Sequence, residues 1–133
     1  MLSGKFFLTV IVITIAISFI QWFFVGFLFH KYQALTPSTW RKENNSSYIM
    51  SMILSIFFAF MFSAVFYLWK AEYRDMHLFD AIKFGTFCWL TFSVTIEIGN
   101  AIYVNYSRVF VAGKCLSSFL EYTISASIAF LLL

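Results

Sequence analysis

The 133-residue chain is dominated by apolar side chains: 62% of its residues are hydrophobic and only 11% are charged. A water-soluble domain carries about 25% charged residues, and six acidic and nine basic side chains cannot cover the surface of a soluble monomer. Disorder is excluded too, because disordered chains combine low hydrophobicity with high charge. The formal charge of +3 is spread along the chain without a basic run suited to nucleic acid. The composition therefore predicts an integral membrane protein.

Four apolar runs predict membrane-spanning helices. A helix needs about 20 apolar residues to cross the hydrocarbon core, and the first two runs reach that length without a formal charge. The last two runs contain charged residues. We therefore predict an all-α integral membrane four-helix bundle that forms a single transmembrane domain over residues 1–133. The predicted helices cover about 6–29, 48–69, 79–104 and 114–133.

Four spans place both ends of the domain on one side of the membrane, which we name side A. The loops at about 31–47 and 105–113 then lie on the opposite side, side B, and the loop at about 70–78 lies on side A. The first run follows Lys5 as a signal peptide would, but it is too long and has no small-residue cleavage site. We therefore interpret it as a span.

Basic residues favour side B as the cytoplasmic side by a narrow margin. Side B carries five basic residues and side A carries four, and cytoplasmic loops are normally the richer in Lys and Arg. The side B residues are Lys31, Arg41, Lys42, Arg108 and Lys114. The side A residues are Lys5, Lys70, Arg74 and Lys83.

Polar and small side chains follow helical spacing in two of the spans. In the third span, residues spaced three or four apart share one face, and most of them are polar. They are Lys83, Thr86, Leu90, Ser93, Glu97 and Asn100. The second span repeats small residues at Ser51, Ser55, Ala59 and Ser63. Small residues let membrane helices approach closely, so we expect both faces to turn toward other helices.

Glu97 and Glu121 are acidic residues inside the predicted spans. Each is expected about 10 Å from the side B interface, on helices that a short loop makes antiparallel neighbours. The two carboxyl groups are therefore expected to face each other. Asn100 follows on the same face of the third span, and Gln21 of the first span offers a hydrogen-bonding group at a somewhat deeper level. These four residues form our candidate ion- or ligand-binding site.

Charge inside the membrane is what makes these two glutamates candidates. An ionised carboxylate there costs about 3 kcal/mol on insertion scales, and two facing carboxylates cannot both ionise cheaply. A proton or a cation is therefore expected at the pair, with Arg108 and Lys114 as the nearest bases. A purely structural hydrogen bond from a protonated glutamate is the alternative interpretation.

Other residues offer no recognisable chemistry. His30 and His77 fall on opposite sides of the membrane, so they cannot share a metal or a haem. Cys88 and Cys115 are expected about 20 Å apart in depth, too far for a disulfide. The sequence has no phosphate loop, nucleophile elbow or zinc-protease motif. We therefore expect no catalytic residue, metal site or cofactor, and we favour a protein that is not an enzyme.

Three short segments carry a family resemblance. They are Phe27 to Trp40, Phe84 to Leu90, and Tyr103 to Phe110. With them, the chain resembles a family of small bacterial four-helix membrane proteins classed only as a domain of unknown function. His30 departs from that pattern, which often has Tyr near this point. The resemblance implies a multi-pass protein of the bacterial inner membrane, and it carries no activity.

The sequence supports two functional hypotheses. The first is a small membrane module that binds or transports an ion, a proton or a small molecule at an intramembrane polar site. The second is a non-catalytic accessory or structural subunit of a larger membrane assembly. In both cases we expect contact with lipids and either a homo-oligomer, with a homodimer first, or a membrane-protein partner. Nucleic acid is not an expected partner.

Overall fold

A computed structural model describes residues 3–41, 44–73 and 75–133 of the protein. Regular structure in these residues is helical, and four helices are long and apolar enough to cross a membrane. They are α1 (Gly4–Leu28), α2 (Asn45–Ala71), α3 (Leu78–Tyr103) and α4 (Arg108–Leu132). The predicted all-α four-helix bundle is therefore confirmed. Lys42 and Arg74, both counted among the basic residues, lie outside the described residues.

Helix ends differ from the predicted spans where hydropathy was the only guide. The largest difference is in α4, which begins at Arg108 rather than at Lys114. Lys114 continues the helix because its ammonium group pairs with Glu97 on α3, so this charge does not mark a boundary. α2 begins at Asn45 because the Asn44 side chain accepts a hydrogen bond from the Ser47 amide at 2.9 Å, which caps the first turn.

Two helices contain π-helical segments that sequence periodicity did not predict. The segment Trp22–Leu28 completes α1, and Trp89–Val94 lies in the middle of α3. A π segment bonds each amide to a residue five positions away rather than four. Side chains beyond it are therefore rotated around the helix relative to regular 3.6-residue spacing. A face read from spacing of three and four residues does not stay continuous across α3.

α4 lies at the centre of the bundle and packs against α1, α2 and α3. α1 also packs against α2, and α3 reaches α2 through aromatic rings such as Phe84 against Phe66, at 5.4 Å between centroids. Gly85 explains how closely α3 approaches α4. A Cβ atom at this position would lie 2.7 Å from the carbonyl oxygen of Tyr122, so only glycine fits without moving the backbone.

The apolar core lies in the side A half and the middle of the bundle. It includes Phe6 and Ile13 of α1, Phe66 of α2, Ala81 of α3 and Ala129 of α4, all fully or almost fully buried. The core is apolar and contains several aromatic rings, and its close packing holds the four helices together.

The predicted faces of α2 and α3 are only partly buried. On α2, Ser55, Ala59 and Ser63 turn inward, but every residue from Asn44 to Leu54 is exposed. On α3, the buried residues are Ala81 and Gly85, which do not belong to the predicted polar face. The side B half of the bundle is therefore built mainly from α1, α3 and α4.

The connection between α1 and α2 covers the side B end of the bundle. It forms two 3-10 turns, His30–Leu35 and Pro37–Thr39. Thr39 Oγ1 donates a hydrogen bond to the Asn105 carbonyl at 3.1 Å. The Trp40 ring then packs against Phe110, with 4.8 Å between centroids. These contacts fix the turn between α3 and α4 in place.

Candidate functional site

Glu121 is held by hydrogen bonds from two neutral side chains. Gln21 Nε2 on α1 donates to Glu121 Oε2 at 3.1 Å. Ser117 Oγ, one turn earlier on α4, donates to Glu121 Oε1 at 2.9 Å. Both carboxyl oxygens therefore have a donor, and the group is fixed between α1 and α4. The structure brings together Gln21 and Glu121, two of the residues that the sequence placed in one site.

The spacing of polar residues on α4 creates this arrangement. Ser117 and Ser118 each lie three or four residues from both Lys114 and Glu121, so the four residues form a polar stripe along one face of the helix. Because α4 is central, that face reaches both α1 and α3. The stripe runs from the side B end of α4 inward, and Glu121 is its deepest charged member.

Glu97 is paired with a lysine rather than with Glu121. Glu97 Oε1 lies 2.8 Å from Lys114 Nζ, and the two side chains are 13% and 42% exposed. Of the two bases near the pair, Lys114 therefore makes the contact. This ion pair joins α3 to α4 at the side B end of the stripe and neutralises Glu97 within the bundle.

Glu121 differs from Glu97 in having no ion-pair partner. The ion pairs among the described residues are Lys114–Glu97 and Lys83–Asp80, and neither includes Glu121. Its hydrogen bonds come from an amide and a hydroxyl, which stabilise a carboxylate without cancelling its charge. Glu121 is therefore a largely buried acidic group without an ion-pair partner among the described residues, and the charges of Lys114 and Glu97 act on it with opposite sign.

Asn100 lies apart from the other three predicted site residues. It is exposed, and its side chain makes no hydrogen bond within the described chain. Asn100 follows Glu97 by three residues, which turns it about 60° away around the helix. No residue of Thr95–Tyr103 is buried, so α4 covers little of this part of α3, and Asn100 lies in the exposed part.

Ser117 and Trp89 take part in the polar network although sequence reasoning did not place them in the site. Trp89 Nε1 donates to the Cys115 carbonyl at 3.0 Å and to Ser118 Oγ at 3.2 Å. For Ser117 the signal was available, because a serine four residues before an intramembrane glutamate can reach its carboxyl group. For Trp89 it was not, since its orientation depends on the π segment that begins there.

The described residues contain no group of three His, Cys, Asp or Glu side chains placed to hold a metal ion. Cys88 and Cys115 are free thiols. What the arrangement offers is a carboxyl group with fixed neutral donors, one to two turns of α4 from the Glu97–Lys114 ion pair. Such a group can take up and release a proton or bind a small cation.

Residues 7–130 match the model of a protein family described as Protein of unknown function (DUF1761), and the chain belongs to that family. The expected membership of a family of unknown function is thereby confirmed. Neither a curated protein nor a solved structure matches the chain.

Proposed function

We propose that the protein binds or transports a proton or a small cation inside the membrane, with Glu121 as the binding group. The observation that carries this proposal is the contrast between Glu97 on α3 and Glu121 on α4, the two glutamates inside the spans. Glu97 is neutralised by Lys114 at 2.8 Å, whereas Glu121 has only the neutral donors Gln21 and Ser117.

The free-energy cost of a charged group in the membrane explains why Glu121 would bind an ion. An uncompensated carboxylate at this depth costs about 3 kcal/mol. A bound proton or cation removes that cost, so the site favours occupation. Because Gln21 and Ser117 already hold both oxygens, the carboxyl group is positioned before the ion arrives. Acidic side chains that face the interior of a membrane bundle typically mark ion or proton pathways.

Access to Glu121 is proposed from side B. Lys114 lies seven residues before Glu121 on α4, about 10 Å closer to the side B end. Glu97 and the half-exposed Lys114 mark the entrance, and Ser117 and Ser118 lie between them and Glu121. An ion entering from this side meets polar groups at each turn of α4.

Flux in proteoliposomes tests the proposal. The full chain is reconstituted, and proton and sodium flux is followed with entrapped dyes in parent protein, Glu121→Gln and Glu72→Gln. Glutamine keeps the shape of the side chain but cannot ionise, and Glu72 is an exposed residue at the end of α2. We expect flux in the parent and in Glu72→Gln, and its loss in Glu121→Gln.

The contradicting results are equally definite. Absence of proton and cation flux in the parent, or equal flux in the parent and Glu121→Gln, would favour the accessory-subunit alternative. Circular dichroism and elution from size-exclusion chromatography check that each variant is folded. Glu97→Gln completes the set, because it should slow entry without abolishing it.

Association with a second copy is a separate proposal supported by the exposure of α2. The first part of this helix, Asn45 to Leu54, is exposed although it is apolar for most of its length. A homodimer formed through it would cover this surface. In a cysteine-free background, we expect Met50→Cys to cross-link between copies and Val65→Cys, on the packed half of α2, not to do so. Monomeric mass in detergent with no co-purifying partner would contradict the proposal.

We also place the protein in a bacterial inner membrane with side B toward the cytoplasm. The side B excess of basic residues supports this orientation. Cysteines introduced at Thr36 and His77, again without the native cysteines, should be labelled from opposite sides of sealed vesicles. Labelling of both positions from the same side would contradict the orientation.

A further inference from the structure

A surface cavity of about 480 Å³ lies at the turn between α3 and α4, at the side B end of the bundle. Its lining includes the polar side chains of Tyr103, Asn105, Tyr106 and Arg108. Arg108 is the charged residue of this lining, so the cavity has a positive charge and no negative one. It lies outside the stripe that contains Glu121.

The positive charge of this cavity is available to a ligand. Arg108 is exposed, and it makes no ion pair within the described parts of the chain. A guanidinium group presents several N–H donors in a fixed plane and binds phosphate through two parallel hydrogen bonds. The chemistry of the lining therefore fits a phosphate group, with Tyr hydroxyls and the Asn amide as further hydrogen-bonding groups.

A second cavity, at the other end of the molecule, offers a comparison. It has a volume of about 450 Å³ and lies near the side A end, between α2 and α3. Its lining contains Asp80 and Lys83, whose charged groups lie 3.3 Å apart and neutralise each other. The two cavities are similar in size, but only the side B cavity has a charge that its own lining does not neutralise.

The side B cavity is rigidly built and lies where lipid headgroups lie. Thr39 bonds the Asn105 carbonyl, and the Trp40 ring packs on Tyr106 with 5.3 Å between centroids. The turn is therefore held by a second segment of the chain. Tyr103 is 89% exposed at the end of α3, and tyrosines at the ends of spanning helices lie at headgroup depth.

We propose that this cavity binds the phosphate of an anionic phospholipid headgroup, with Arg108 as the phosphate-binding residue. A lipid phosphate reaches this depth from the bilayer itself, so a lipid is the occupant that the position favours. Tyr103 and Tyr106 would contact the glycerol and the headgroup beside the phosphate. The inference is independent of ion binding at Glu121.

Lipid binding to the purified full chain in a neutral detergent tests the proposal. Fluorescent phosphatidylglycerol and phosphatidylcholine of the same chain length are titrated into parent protein, Arg108→Gln, Arg108→Lys and Arg41→Gln. Arg41 is the matched control, because it is an exposed arginine on the same side that does not line the cavity. Inorganic phosphate is added as a competitor in a separate arm.

We expect the parent to prefer phosphatidylglycerol and Arg108→Gln to bind it at least tenfold more weakly, since a hydrogen-bonded charge contributes about 1.5–3 kcal/mol. The affinity of Arg108→Lys should lie between those two, because lysine keeps the positive charge but not the planar pair of N–H donors. Arg41→Gln should bind like the parent.

Three results would overturn the proposal. Equal binding of both lipids would remove the role of the headgroup charge. Equal weakening by Arg108→Gln and Arg41→Gln would show a general attraction to basic residues rather than a site. Displacement of the lipid by inorganic phosphate, together with no preference between lipids, would assign the cavity to a free anion.

Discussion

The two halves of the bundle are built differently although the same helices run through both. In the side A half, Phe66 and Ala81 are completely buried and α2 packs against its neighbours. In the side B half, α2 is exposed up to Leu54, and α1, α3 and α4 meet through the polar groups of Gln21, Glu121 and the Glu97–Lys114 pair. The side A half is held mainly by apolar packing, whereas the side B half combines packing with polar groups and leaves the first part of α2 uncovered.

This difference assigns most of the stability to the side A half and the ionisable groups to the side B half. Close packing of apolar side chains leaves no room for an ion, so the side A half is suited to hold the helices in place. The polar half contributes fewer apolar contacts but presents groups that can change their charge. We expect substitutions on side A to affect folding most, and substitutions on side B to affect ion binding with smaller effects on folding.

Removal of a core ring on side A should have the largest effect on folding. Phe66 is 0% exposed and contacts both Trp69 and Phe84. Phe66→Ala should lower the free energy of unfolding by about 3–5 kcal/mol, because it leaves a cavity. Phe57→Ala, at an exposed position of the same helix, should change it little. Denaturant titration in detergent micelles measures both, and similar losses would contradict a packed side A core.

Addition of a single methyl group should affect stability differently in the two halves of α3. Gly85 faces the α4 backbone, whereas a Cβ atom at Gly99 would meet nothing within 4 Å. Gly85→Ala should destabilise the protein by about 1–3 kcal/mol through overpacking. Gly99→Ala should be neutral or stabilising by up to about 1 kcal/mol, because alanine favours helix. A reversed order in thermal unfolding would show that α3 packs through its other half.

The Glu97–Lys114 ion pair should contribute less to stability than either packing contact. Lys114 is 42% exposed, so solvent weakens the attraction. A double-mutant cycle with Glu97→Gln and Lys114→Met should give a coupling energy of about 0.5–1 kcal/mol. Raising the salt concentration should reduce it. A coupling energy near zero at low salt would mean that the pair does not join α3 to α4.

The Trp89 hydrogen bonds should contribute least to folding. Trp89→Phe keeps a ring against Phe119 but removes the donor to the Cys115 carbonyl and Ser118 Oγ. Hydrogen bonds between membrane helices contribute about 0.6 kcal/mol on average, and we expect a loss of that size. Trp22→Phe, at an exposed position on α1, serves as the control. A loss as large as that of Phe66→Ala would contradict the division between the halves.

Sequence reasoning reached the fold because length and composition determine it. Four runs of sufficient length and hydropathy leave few alternatives to a helical membrane bundle. The inward faces of α2 residues Ser55, Ala59 and Ser63 also followed from spacing, since α2 is a regular helix. The prediction that Ser51 also faces inward is wrong, because the first part of α2 is not covered by other helices. The sequence of α2 alone cannot reveal this.

The site was only partly predictable, for a reason found in α3. The Gln21–Glu121 contact joins two residues that the sequence placed in one candidate site, as a hydrogen-bonding partner and a carboxyl group. The Lys114 partner of Glu97 did not follow from the sequence, because the π segment Trp89–Val94 changes the rotation of the helix between Gly85 and Glu97. The exposure of Asn100 did not follow either, because it depends on how much of Thr95–Tyr103 the neighbouring helix covers. Hydropathy also treated Lys114 as the start of a span, whereas its charge is neutralised by Glu97. Pairing across helices is tertiary information that spacing within one helix does not contain.

The central claim is that Glu121 exchanges a proton or a cation in the side B half, and infrared difference spectroscopy tests it most directly. Spectra of the reconstituted protein are recorded before and after acidification or addition of sodium. We predict a change in carboxyl absorption that is shared by the parent protein, Glu72→Gln and Phe57→Ala, and is missing from Glu121→Gln. The persistence of this signal in Glu121→Gln, or no change of carboxyl absorption in the parent, would contradict the account.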